Sequence, residues 1–322
     1  MDKPSHLSVI LDLSPTQWAL CAQSVNPTGI TLHTFLSQLL AFLNAHIACK
    51  DENTLAVFGA LPGQSGMLYS STGEVTGART ESTDANTYRP FRTLDSTLMT
   101  LIAERLESYD STTEEAPIGL VGCLTKALCY INRAITTSSA SSTEMEGAAA
   151  SVDPRILVLS VSPDQSSTYI PIMNSIFSAQ KLKVTIDVCK IFGAENVFLQ
   201  QAAHLTGGAY VQVDRTDALL QYMIMSFLPP PAIRQLISVP TQDRVDFRAA
   251  CFCHKRIVEI GFVCSVCLSI FCQPVPVCST CRTKFPIKTL QRLRDARPLA
   301  AAAPPTKPLA QKNGTATPAR PG

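Results

Sequence analysis

An α/β architecture ending in a small metal-binding module is expected from three features of the chain. Short apolar runs alternate with amphipathic helical patterns through the first 228 residues, seven of the twelve cysteines crowd between Cys251 and Cys281, and 46% of the 322 residues are hydrophobic, enough for a substantial core. Strands joined by helices imply a mostly parallel, doubly wound sheet covered on both faces, with its functional edge at the strand C-termini.

The elements follow in order. Residues 7–11 (LSVIL) read as a buried strand ending at Asp12, and Leu32, Phe35, Leu36, Leu39, Leu40, Leu43 and Ile47 make one helical stripe. Residues 55–58 and 67–69 read as paired strands across the turn-forming Pro62-Gly63. Leu94, Leu98, Leu101 and Ile102 mark the next helix, and Val121, Leu124, Leu128, Ile131 and Ile135 the one after. A strand at 156–159 leads to a helix carrying Met173, Ile176 and Phe177, and a strand at 184–188 to a helix at 195–205, stopped by Gly207-Gly208. A strand at 209–213 and a helix through Leu219, Met223 and Phe227 complete the domain, which is expected to span residues 1–231 and to end at Pro229-Pro230-Pro231. Two polar stretches, 110–117 and a low-complexity insertion at about 136–153, read as mobile surface segments with too little apolar area to offset ordering entropy. Residues 232–246 read as a linker, 247–290 as the metal module, and 298–322, rich in Ala, Pro and Lys, as a disordered tail; no internal repeat is evident.

Charge narrows the function classes. The net charge is +2, but nine Lys/Arg and the single acidic Asp295 lie from Arg282 onward, so the body carries −6 and only the tail is basic. Without aromatic residues beyond Phe285, that tail reads as solvated or partner-facing, and direct nucleic-acid contact is expected to be weak or absent. A charged fraction of 16% is low for a free monomer and suits a surface covered by partners. No stretch reads as a membrane span, and the N-terminus is not expected to carry a leader.

The strongest chemical signal is Cys264-x-x-Cys267, ten residues, then Cys278-x-x-Cys281. Each knuckle presents two thiolates on one turn, and two knuckles close a tetrahedral zinc site with no position left for water, so the site is structural. Its binding energy is folding energy for a module too small to fold on its core alone. Cys251, Cys253, His254 and Cys272 are left over: a second zinc is one reading, small buried residues of a compact module the other.

Asp12-x-Ser14-x-Thr16 follows the first strand with the spacing of a von Willebrand A-type ion site, in which a carboxylate and two hydroxyls converge on a hard cation such as magnesium. The acid expected after the 156–159 strand comes late, at Asp164, and Pro15 interrupts the loop. The expectation is an inherited loop whose ion site has decayed, without magnesium. There is no Gly-rich phosphate loop and no nucleophile elbow, and His6, His33, His46 and His204 are scattered singly. Trp18, read as lying in the loop after the first strand, is either a partner anchor or loop packing.

The order of an A-type domain, prolines and CFCHKRIVEIGFVCSVCLSIFCQPVPVCSTC from Cys251 resembles the family of small von Willebrand A-type core subunits of the general transcription and DNA-repair factor TFIIH. Residues 173–181 (MNSIFSAQK), 205–210 (LTGGAY), the stretch from Leu219 to Pro229, and 245–250 (VDFRAA) carry the same resemblance, which is dense from about 156 to 284. It implies a non-catalytic nuclear subunit that binds the larger von Willebrand A/RING-type subunit and helps hold two helicases during promoter opening and nucleotide excision repair. The family's C4 zinc finger falls on Cys264, Cys267, Cys278 and Cys281.

Three rival classes fit the sequence less well. A RING-type ubiquitin ligase needs eight regularly spaced ligands, and Cys272 has no CxxC companion. A magnesium-dependent ligand binder needs the complete ion site. A nucleic-acid-binding zinc ribbon needs basic residues on its hairpins, yet only Lys255 and Arg256 lie between Cys253 and Cys281, while Phe252, Phe262 and Phe271 read as core.

Overall fold

The computed structural model describes residues 3–24, 29–72, 88–109, 116–141, 152–165, 168–234, 236–237, 245, 247–254 and 257–295. The chain divides into two compact units, Met1–Ala250 with Lys255–Ile257, and Cys251–His254 with Val258–Gly322.

The larger unit is built on six strands, β1 (Ser5–Asp12), β2 (Thr54–Leu61), β3 (Gln64–Ser70), β4 (Asp153–Ser160), β5 (Thr185–Lys190) and β6 (Tyr210–Gln212), in the order β3-β2-β1-β4-β5-β6. All neighbours pair in parallel except the β2/β3 hairpin, which turns at Gly63 with φ of 68°. This is the doubly wound sheet of a von Willebrand A-type domain, as the sequence suggests.

Both faces are covered because the central strands are apolar on both sides. Leu7, Val9 and Leu11 of β1 point to one layer, made by α2 (Leu32–Cys49), α3 (Arg89–Glu107) and α7 (Leu219–Phe227) through Phe35, Leu39, Leu94, Leu98, Met223 and Phe227. Ile10, Phe58, Ile156 and Val158 point to the other, made by α4 (Leu120–Ser141), α5 (Tyr169–Leu182) and α6 (Val197–Thr206). Each fully buried side chain of this size contributes about 1.5–3 kcal/mol.

The structure departs from the sequence expectations in three places before the proline run and in a fourth just after it. Trp18 is not in a loop: Pro15 opens a helix, α1 (Pro15–Gln23), because its fixed φ and missing N–H suit a first helical position. Trp18 is 4% exposed, rests against Phe35 and donates its indole N–H to the Asp12 carbonyl at 2.8 Å, so it is core and no partner anchor. α2 is long and apolar enough, by length and composition alone, to cross a membrane, contrary to the expectation; its stripe of Phe35, Leu36, Leu39, Phe42 and Leu43 is instead buried in the domain. α4 runs on to Ser141, so the insertion begins helical; its remainder to 151, most of 110–117, and the tail lie outside the described residues.

The prolines end α7, but the chain then turns back. Pro231 opens the four-residue helix α8 (Pro231–Arg234), from which Arg234 makes a bidentate ion pair with buried Asp187 of β5, at 2.5 and 2.8 Å. Arg155 of β4, almost fully buried, donates to the carbonyls of Phe227 and Pro229 at 2.9 and 3.0 Å and to that of Leu228 at 3.4 Å. A guanidinium thus closes the carbonyl end of α7, where the helix dipole favours positive charge.

Candidate metal centres

Asp12, Ser14 and Thr16 do come together at the C-terminal end of β1, where the loop meets the start of α1. Asp12 is buried, and its carboxylate accepts four hydrogen bonds: from the Val161 and Ser162 backbone N–H groups at 3.0 and 2.7 Å, the Ser162 hydroxyl at 3.0 Å and the Ser14 N–H at 3.2 Å. Those donors take up the lone pairs a hard cation would need. The Ser14 and Thr16 hydroxyls pair with each other at 3.1 Å.

A cation is nonetheless present close by. Lys190, at the end of β5 and fully buried, donates its ammonium to the Ser162 carbonyl at 2.6 Å. Burial brings Lys190 down to about 8, against the opposing pull of Asp12 and Asp164. Asp164 does not complete the ion site either: its carboxylate accepts the Phe198 N–H at 3.2 Å in the first turn of α6. Of the scattered histidines, His6 and His46 are buried and lowered to about 4, chiefly by burial. His6 sits between the hydroxyls of Thr54 and Ser8 at 2.8 and 2.9 Å.

In the smaller unit, β7 (Phe262–Val263) and β8 (Ile270–Phe271) form a two-stranded ribbon that holds the first knuckle. Cys264 N–H donates to the Ser269 carbonyl and Leu268 N–H to the Cys264 carbonyl; in the second knuckle Cys278 N–H donates to Thr283 and Arg282 N–H to Cys278. The two knuckles therefore share one backbone design. The residue after each second cysteine, Leu268 and Arg282, takes a left-handed φ of 60°. The residue beyond it places a hydroxyl 3.1 Å from a thiol, Ser269 on Cys267 and Thr283 on Cys281. CSVCLS and CSTCRT are a six-residue repeat that the sequence reading missed, and the spacing of the small hydroxyl residues was its signal.

The four sulfurs of Cys264, Cys267, Cys278 and Cys281 lie within 4.8 Å of one another, with Cys264–Cys281 at 3.7 Å and Cys267–Cys278 at 3.5 Å. Tetrahedral zinc with bonds of about 2.3 Å sets sulfurs about 3.8 Å apart, so this donor set fits the ion. Phe271 is buried beneath it, with Phe252, Val275 and Phe285 packed alongside. A second group, Cys251, Cys253, His254 and Cys272, also has its ligand atoms within 4.8 Å. Both groups could hold a metal ion.

A von Willebrand A-type domain carrying a C-terminal cysteine module, with its own ion loop tied up by backbone donors, defines a class of A-type proteins whose chemistry-bearing side chains sit in the appended module. Within that class, the chain belongs to the Transcription factor Tfb4 family, whose profile matches residues 4–282. It is 40% identical to the fission-yeast (Schizosaccharomyces pombe) general transcription and DNA repair factor IIH subunit tfb4, over 90% of this chain and 92% of that protein. It is 36% identical to the corresponding Arabidopsis thaliana subunit, over 88% of this chain and 90% of that protein. Among solved structures, the TFIIH p34 N-terminal domain matches with a TM-score of 0.59 at 28% identity, covering 70% of this chain and 98% of that one.

Proposed function

We propose that the chain is a non-catalytic, structural subunit of the TFIIH core, supporting transcription initiation by RNA polymerase II and nucleotide excision repair through protein–protein contacts in the nucleus. The observation that carries this reading is the end-to-end likeness to the fission-yeast subunit, 92% of which is matched at 40% identity. The larger von Willebrand A/RING-type subunit is the proposed direct partner, with the other core subunits beyond it. The internal hydrogen bonding of Asp12 supports a role without cation or substrate turnover at the sheet edge. Zinc is the ion proposed for Cys264, Cys267, Cys278 and Cys281: four thiolates close its coordination sphere, so it would supply folding energy and no reactive water.

Mild affinity purification of the tagged chain from nuclear extract, with mass spectrometry of every co-eluting protein, tests the proposal. A stoichiometric multi-subunit complex containing two helicases is expected. A lone monomer, or recovery of ubiquitin-conjugating enzymes instead, would overturn the subunit reading.

A further inference from the structure

We propose that Cys251, Cys253, His254 and Cys272 bind a zinc ion of their own, interleaved with the Cys264 site. Cys253 Sγ lies 3.5 Å from Cys272 Sγ, and His254 Nδ1 lies 3.2 Å from the same sulfur. A disulfide needs about 2.0 Å between sulfurs, whereas edges near 3.5 Å are those of a tetrahedral site mixing thiolates with one imidazole. Packing does not account for the group, because Cys253 and His254 are exposed, and small buried residues were the alternative reading. Three thiolates with one imidazole form a soft, closed donor set, which favours zinc over the hard cations.

The backbone is built to bring these residues together. Phe252, between two of the ligands, donates its N–H to the Ile270 carbonyl at 2.7 Å, which lays residues 251–254 beside β8 directly before Cys272. On its other side β8 pairs with β7, where Phe262 is opposite Phe271, and β7 leads straight into Cys264. One ribbon therefore feeds both ligand sets.

Chain order then interlocks them. Three ligands of the first set, Cys251, Cys253 and His254, are followed by Cys264 and Cys267 of the other. Cys272 returns to the first, and Cys278 and Cys281 close the second. The loop closed by each ion contains ligands of the other, so neither half can open alone. The sequence offers this second zinc as one reading, and the missing CxxC companion of Cys272 is accounted for because its companion ligands lie at the N-terminal end of the module.

The test uses the full chain, produced with zinc and assayed for bound metal by mass spectrometry. Two zinc ions per chain are expected, falling to one in Cys272→Ser. X-ray absorption of the unaltered protein needs no variant and should give an average shell of 3.5 sulfurs and 0.5 nitrogen per zinc, from seven cysteines and one histidine over two ions. One zinc with a sulfur-only shell would overturn the second site while leaving the Cys264 site in place; no zinc at all would overturn both. Interlocking predicts that the ion left in Cys272→Ser passes to a chelator about tenfold faster than from the unaltered chain, as loss of supporting groups around a metal does. An unchanged rate would refute the interlock.

Discussion

Asp12 holds the position of an ion-site carboxylate while its oxygens are taken up by donors of the protein itself. The Asp12-x-Ser14-x-Thr16 spacing was legible: the Asp12 carboxylate accepts the Ser14 backbone N–H, and the Ser14 and Thr16 hydroxyls pair with each other. Nothing in the spacing, however, reveals that the loop after β4 turns the Val161 and Ser162 N–H groups and the Ser162 hydroxyl onto the carboxylate. That convergence joins residues some 150 positions apart and depends on the β1/β4 pairing. Substituting Asp12→Ala leaves those donors unmet and removes a negative charge that favours the Lys190 ammonium. Urea unfolding should show a loss of about 3 kcal/mol. Adding magnesium to the unaltered protein should leave its melting temperature unchanged; a rise of several degrees would mean that Asp12 can release its donors for a cation.

Among the elements, helix and strand positions followed from periodicity, because apolar stripes decide which face is buried. Ends and exceptions did not follow. α1 was hidden by Pro15, which breaks a helix from inside but suits its first turn, and the short apolar spacing of Trp18 and Cys21 gave little periodic signal. The return of the chain through α8 was equally hidden, since it rests on Arg155 and Arg234, charges that sequence patterns assign to the surface. The two arginines act on the same corner: Arg155 closes the carbonyls of α7, and Arg234 holds the following turn to Asp187. Arg155→Met keeps most of the side-chain volume but takes the guanidinium from the Leu228 carbonyl and leaves those of Phe227 and Pro229 to Arg234. It should cost about 2–4 kcal/mol by denaturant unfolding, with Arg234→Met costing less because that side chain starts nearer to solvent. Equal, negligible costs for both would show that the corner contributes no stability.

On the scale of the whole molecule, the buried histidines set an acid limit. His6 and His46 stand at about 4 in the folded chain, against an ordinary value of 6.5 that the unfolded chain recovers. Between those values the unfolded chain binds more protons, so folding stability is complete above about pH 6.5 and falls as pH drops toward 4. The melting temperature should decline from pH 7 to pH 5, and a His6→Gln, His46→Gln double variant should decline less steeply over the same range. Parallel slopes would assign the acid sensitivity to other groups. The α/β order and the cysteine module were visible in the sequence because each has a local signature, periodicity for one and knuckle spacing for the other. The Asp12 cage and the Arg155 corner were not, since each joins distant stretches through backbone groups that every residue carries alike.

The sheet's two rims carry a consequence for a subunit waiting to be assembled. At one rim β6 is only three residues long, and at the other the hairpin slips register between Val57 and Phe58. A short strand and an irregular hairpin offer poor templates for an added strand. Surplus copies are thereby discouraged from zipping together edge to edge. That protection matters for a chain with so few surface charges to keep its copies apart.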